Sequence, residues 1–297
     1  MAVALYVGGH GTQIAGEKFD LGGHRCFSAV HRPPPHTNIA NLRYLLDSGA
    51  FSDAPEARLT PDRALDRQLQ WEAKAADLWG VPVASEAIVS YDLLIDEVWT
   101  GGVRHKRRWS VEDAEAAVRE TVDAAAYLAS RRRELQPRRL VLSCQGVDAS
   151  QYVECTVAVL SHAEPDDWIG LGGWCIVGRF TTWLPEFRRT MARVVPLVAA
   201  HGITRVHLFG VLYEPAVAAL LWLADQYGIE VSTDSTAPVL AATRGNPKKA
   251  GMRASGWRQN VAWWQHRMST MRQSRWYGPV ETARQLELFA TVAPDPS

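Results

Sequence analysis

The sequence lacks any apolar run near the roughly 20 residues needed to cross a bilayer, so no membrane span and no membrane partner are expected. It also lacks net charge. Its 32 basic and 32 acidic side chains cancel, which excludes a histone-like or purely electrostatic binder of polyanions. Cysteine is scarce: Cys26, Cys144, Cys155 and Cys175 show no CxxC or CxC spacing, and no secretory leader precedes them. A disulfide framework is therefore not expected, and the chain reads as cytoplasmic, in a bacterium or in the host of a phage. His10, His24, His31 and His36 lie around Cys26, but no pair has the spacing of a metal finger. They read as polar residues of a lid, and neither a metal nor another cofactor is expected.

One further absence is local. From Thr236 to Val280 there is no Asp or Glu, whereas Arg244, Lys248, Lys249, Arg253, Arg258, Arg267, Arg272 and Arg275 all fall there. Trp257, Trp263, Trp264, Trp276 and Tyr277 are interleaved with them, in a chain that has 12 Trp. Cations neutralise phosphates and aromatic faces stack on exposed bases, so the segment reads as a nucleic-acid surface, with Arg244, Lys248, Lys249, Arg253, Arg258, Trp257, Trp263 and Trp264 as its contacts. The plainer reading is a helix that docks its Trp on the body of the protein and leaves its Arg in water. A solvated face seldom goes so long without one acid, which favours the first.

What is present elsewhere is alternation. Strand-like runs at Ala4–Val7, Tyr44–Asp47, within Ala87–Asp96, and at Leu140–Gln145, Trp168–Leu171, Arg205–Gly210 and Ile229–Thr233 are separated by amphipathic stretches. The stretches include Pro61–Trp79, Val111–Arg133, Leu184–His201 and Glu214–Tyr227. This spacing implies right-handed βαβ units around a parallel sheet. Seven strand signals and one unplaced predict an α/β fold, a (β/α)8 TIM barrel over residues 1–245, with residues 8–40 as a long lid loop. Residues 246–297 read as a Trp/Arg-rich helical appendage and tail.

In such a barrel the reactive groups sit at the carboxyl ends of the strands, around one mouth. The strands here end in LLDSGAFSD, YDLLIDE, LSCQG, GLGGW and VSTDS, which place Asp47, Ser48, Asp96, Gln145, Gly172, Gly173 and Asp234 there. A single carboxylate after a strand is ordinarily a turn or helix-cap residue. Five polar endings on one mouth instead suit a small polar heterocycle: carboxylates accept from ring NH and amine groups, an amide and backbone NH bind a carbonyl, and glycines allow close approach.

These motifs, with HLFGV, in this order over roughly residues 40–245, resemble the barrel of tRNA-guanine transglycosylases. That family exchanges guanine in a polynucleotide for a 7-deazaguanine through a covalent aspartyl–sugar intermediate. The resemblance implies Asp234 as nucleophile and Asp47 as general acid/base, with Ser48 orienting Asp47. It implies Asp96 and Gln145 as readers of the guanine edge, and Gly172 and Gly173 as the backbone donors of the base pocket. The tRNA enzymes carry a zinc subdomain after the nucleophile; this chain has no Cys beyond Cys175, so that site is lacking. The missing subdomain, the short length and the DSGAFS wording are similar to the branch that inserts 7-deazaguanines into DNA.

The leading expectation is thus a pentosyltransferase that replaces guanine in DNA with a free 7-deazaguanine such as 7-cyano-7-deazaguanine, after rotating the guanine out of the stack. The alternatives are the same chemistry on tRNA, a catalytically silent nucleic-acid-binding subunit, and a hydrolytic glycosidase using the same aspartates. Near the C-terminus, QLELFA (Gln285–Ala290) resembles the peptide by which bacterial DNA enzymes dock on the sliding clamp, with Gln285, Leu288 and Phe289 as anchors. A last helical turn packing on the barrel is the plainer account of it.

Overall fold

In this computed structural model the residues described are 2–8, 23–35, 39, 41–53, 57–93, 95, 98–100, 103–105, 109–174, 183–239 and 257–279. Among these residues ten short runs form strands: β1 (Ala4–Gly8), β2 (Gly23–Ser28), β3 (Leu42–Asp47), β4 (Ala87–Val89), β5 (Val98–Thr100), β6 (Val103–His105), β7 (Arg139–Cys144), β8 (Trp168–Leu171), β9 (Arg205–Leu208) and β10 (Glu230–Ser235). β5 and β6 make a small antiparallel hairpin. The other eight are all parallel and close on themselves in the order β1-β10-β9-β8-β7-β4-β3-β2.

The crossovers carry the helices: α1 (Pro61–Trp79), α2 (Val111–Ser130), the single turn α3 (Arg132–Leu135), α4 (Ala149–Leu160), α5 (Leu184–Ala200) and α6 (Glu214–Asp225); α7 (Trp257–Ser269) follows β10. Their ends are written locally. Pro61 opens α1, and Gly80, with φ 70, ends it in a left-handed conformation that costs a glycine little. The Ser110 side chain caps α2 by accepting from the Asp113 amide at 3.1 Å, and Asp148 caps α4 by accepting from the Gln151 amide at 2.9 Å. The chain is therefore a (β/α)8 barrel, and no helix among the described residues is long and apolar enough to cross a membrane.

Alternation along each strand divides the core in two. Outward residues such as Leu46, Leu142, Ile169 and Val206 pack under the helices. Inward ones, Tyr6, Leu45, Ala87, Val89, Val141 and Trp168, fill the lumen. The floor is closed by a polar cluster. Tyr6 donates to Glu86 at 2.8 Å, and Arg205 lies 4.3 Å above the Trp168 ring while pairing with Glu86 at 3.4 Å and Glu230 at 2.9 Å.

Two expectations change here. The segment 8–40 is not a lid throughout, because it contains β2, the strand the hydrophobic pattern did not reveal. β2 pairs with β1 on one side and runs in register with β3 from Gly23↔Leu42 to Ser28↔Asp47 on the other. Its face toward the lumen, His24, Cys26 and Ser28, is polar or small, so GHRCFS shows no apolar run; Phe27 points outward and stacks on Trp71 at 5.2 Å. Of the four histidines near Cys26 in sequence, His24 lies 4.9 Å from the Tyr6 ring and the His31 carbonyl receives the Trp71 indole, while His10 and His36 lie outside the described residues.

The acid-free segment also departs from its reading. Helix α7 buries Val261, Trp264 and Met268 against the barrel beside β1. Arg267 pairs with Glu214 at 2.6 Å, and Arg272 with Asp225, so acids from both ends of α6 answer arginines of the segment. Trp264, expected as a base-stacking residue, is only 8% exposed and serves packing instead. Trp263 is 45% exposed and Arg258 lies at the surface. Arg244, Lys248, Lys249, Arg253, the side chain of Trp257 and the Gln285–Phe289 peptide lie outside the described residues.

Candidate active site

Three strand ends deliver carboxylates to the mouth. On β10, inward parity runs through Glu230, Ser232 and Asp234; on β3 it runs through Leu45 to Asp47. The third acid is Asp92, three residues past the end of β4. Their mutual proximity shows in their protonation. Burial first, and then the charge of Asp234, raise the Asp47 pKa to about 6, against the pull of the Gly49 amide, the Ser28 hydroxyl and Arg67. Burial first, and then the charge of Asp47, raise Asp92 to about 7, with Arg58 opposing. Cys26 completes the group: burial pushes its thiol up, and the charges of Asp234 and Asp47 add to it.

Each carboxylate is held differently. Asp47 accepts from the Gly49 amide at 3.0 Å, the start of a turn whose glycine has φ 86. Ser48 is fully buried; its hydroxyl faces the Ala50 amide at 3.4 Å and its carbonyl accepts from Arg67, so it shapes the turn behind Asp47. Asp234 has a side chain 17% exposed, and its Oδ1 accepts from the Gly210 amide at 2.9 Å and meets His207 Nε2 at 3.2 Å. Asp92 lies against the glycine turn after β8: a β-carbon placed on Gly172 would stand 3.6 Å from its Oδ2 and 3.3 Å from the Cys144 carbonyl.

Gln145 and the glycines do not sit as expected. The Gln145 side chain is fully buried and committed at both ends: Oε1 accepts from the Ile95 amide at 3.2 Å, while Nε2 donates to the Leu93 carbonyl and to Thr121 at 3.0 Å. It anchors the loop that carries Asp92 rather than presenting an amide to a ligand. Gly172 gives its N–H to the Cys144 carbonyl at 2.9 Å, so what it offers the mouth is the absence of a side chain beside Asp92. Gly173 has φ 81 and turns the chain away from β8.

Asp96, read as a partner of the guanine edge, lies outside the described residues. The sequence reading passed over Asp92 in the same YDLLIDE motif. The signal was strand length: β4 is three residues, so the first acid after it reaches the mouth. His207 was also passed over, although its parity with Arg205 and Asp234's strand puts it in the lumen below that carboxylate.

Among the described residues no group of three or more His, Cys, Asp or Glu could hold a metal ion. Chemically, the mouth combines a carboxylate fixed through one oxygen with two acids that change charge near neutral pH. Such a set suits attack on an electrophilic carbon with proton transfer to and from a leaving group.

No family model and no curated protein matches the chain. Among solved structures it is similar to an L-ribulose 3-epimerase, with a TM-score of 0.39 and 15% identity covering 100% of both chains. It is also similar to the GH26 β-mannanase BoMan26A of Bacteroides ovatus, with a TM-score of 0.40 and 11% identity covering 94% of each. At these scores the likeness carries nothing about activity, and the chain's own strand order is what makes it a (β/α)8 barrel.

Proposed function

We propose that the protein is an enzyme that exchanges guanine in DNA for a 7-deazaguanine, 7-cyano-7-deazaguanine or a derivative, through a covalent bond between Asp234 and the deoxyribose. The observation that supports this most is the convergence of Asp47, Asp92 and Asp234 on one mouth, with Asp47 raised to about 6. A glycosyl exchange needs a nucleophile and a separate acid that can also take a proton back. Asp234 and Asp47 suit these two roles.

In the first half, the Asp234 Oδ2 lone pair bonds to C1′ as the C1′–N9 bond breaks and its electron pair leaves with guanine. Protonated Asp47 supplies the proton that guanine needs. In the second half, N9 of the incoming base attacks C1′, its proton returns to Asp47, and the C1′–Oδ2 electron pair goes back to Asp234. No redox partner is consumed. Asp92, beside the bare Gly172, accepts from the ring NH and exocyclic amine of either base.

DNA is favoured over tRNA by the sequence: no Cys follows Cys175, so the zinc subdomain of the tRNA enzymes is lacking, and the Trp/Arg segment stands in its place. Trp263, exposed on α7, is the described aromatic best able to stack on a base. The test is exchange of labelled guanine run in parallel on duplex DNA, single-stranded DNA and unmodified tRNA, with Asp234→Ala and Asp47→Asn as controls. Label entering DNA and lost in both variants is expected. Entry into tRNA alone moves the substrate, base release without exchange makes the protein a hydrolase, and no reaction on any polymer defeats the proposal.

A further inference from the structure

The hydrogen bonds beneath Asp234 form a chain. The Ser232 hydroxyl lies 3.0 Å from His207 Nδ1 and 3.2 Å from the Val206 carbonyl, so Nδ1 of a neutral ring has a donor to accept from and the ring hydrogen is free to sit on Nε2. The other ring nitrogen, Nε2, faces Asp234 Oδ1 at 3.2 Å. A bare nitrogen and a bare carboxylate oxygen at that distance would oppose two lone pairs on a fully buried ring, lodged edge-on between Tyr6 and Phe209. A hydrogen therefore lies between them. Oδ1 already accepts from the Gly210 amide at 2.9 Å, which leaves Oδ2 to face the mouth chemistry.

We propose that His207 is the positioning residue of the nucleophile: donating from Nε2–H, it clamps Asp234 Oδ1 together with the Gly210 amide and directs attack through Oδ2. The inference rests on the reading of Asp234 as nucleophile and extends it to the second half of the reaction. Once Oδ2 is bonded to C1′, Oδ1 is the ester carbonyl oxygen. Two donors on that oxygen polarise the ester, so that when the incoming base forms its bond to C1′ the C1′–Oδ2 electron pair returns to a carboxylate already solvated by the protein. His207 touches neither sugar nor base; it acts through Asp234.

The first test needs no turnover. In full-length protein labelled with 15N-histidine at neutral pH, the His207 signals are assigned by their loss in His207→Gln. Nε2 is expected to carry hydrogen in the wild type. An unprotonated Nε2 in the wild type overturns the clamp. The second test is kinetic. Removing an oxyanion donor costs on the order of 100-fold in kcat, so His207→Phe is expected to show that loss with KM for DNA unchanged and the protein–DNA adduct persisting. His207→Gln, whose amide nitrogen can occupy the Nε2 position, is expected to recover part of the rate. Gln and Phe variants that turn over equally fast overturn the proposal. Wild-type protein without exchange overturns the nucleophile reading instead, and the nitrogen signals then judge the clamp by themselves.

Discussion

Arg67 holds Asp53 through two guanidinium nitrogens, each 2.9 Å from a carboxylate oxygen, and one of the two also donates to the carbonyl of Ser48, next to Asp47. Tyr91 donates to the same carboxylate at 2.8 Å. The turn after β3 is thereby tied to α1 on one side and to the Asp92 loop on the other.

Arg67→Met should accordingly destabilise the fold by about 3 kcal/mol, because Asp53 would be left without its ion-pair partner in a mostly buried place. Urea denaturation measures it. Loss of the guanidinium also removes a charge that lowers Asp47, so the Asp47 pKa is expected to move upward from about 6.

The pH dependence of stability has a defined sign. Asp47 and Asp92 are raised from 3.8 to about 6 and about 7, so the folded state binds protons that the unfolded chain has already lost. Stability should fall as pH rises from about 4 to about 7, by about 1.4 kcal/mol per pH unit for each carboxyl that is protonated only in the folded state. Asp92→Asn and Asp47→Asn are expected to be more stable than wild type at pH 8 and no more stable at pH 4. Thermal melts across that range check this, and a wild type that gains stability toward pH 8 relative to both variants contradicts it. If Asp47 supplies the proton in the proposed exchange, base departure should slow above about pH 6.

The two glycines after β8 should separate binding from folding. Gly172→Ala puts a methyl 3.6 Å from Asp92 Oδ2 and is expected to weaken base binding about tenfold while costing under about 1 kcal/mol of stability. Gly173→Ala forces a side chain onto φ 81 and should cost about 1–2 kcal/mol, whatever the ligand. Base titrations and melts on both variants decide it.

Adjacent tryptophans on α7 should behave in opposite ways. Trp264→Ala empties a packed site and is expected to cost about 3–5 kcal/mol. Trp263→Ala should leave stability within about 0.5 kcal/mol. If Trp263 stacks on a base, the same change weakens single-stranded DNA binding by about 1–3 kcal/mol. Equal DNA affinity for wild type and Trp263→Ala would remove that residue from the nucleic-acid surface.

The barrel was legible wherever burial on both faces leaves a continuous apolar run, as in Arg139–Cys144 or Trp168–Leu171. It was illegible at β2, where the lumen asks for His24, Cys26 and Ser28, and hydrophobicity carries no trace of a strand. Asp47 and Asp234 could be placed because they end strands whose limits the pattern marks. Asp92 could not, since a pattern that runs from Ala87 toward Asp96 hides that the strand stops at Val89. Gln145 and Trp264 expose another limit: an amide at a strand end and a tryptophan among arginines look the same whether they meet a ligand or the protein's own loop and wall. Composition records the group and not its partner.

Among the described residues the base of the lumen is filled, where Tyr6 and Trp168 meet Glu86 and Arg205. Under the proposed exchange, an outgoing base and its replacement would therefore share the opposite end of the barrel, and the free outgoing base is expected to compete with the incoming one for that doorway.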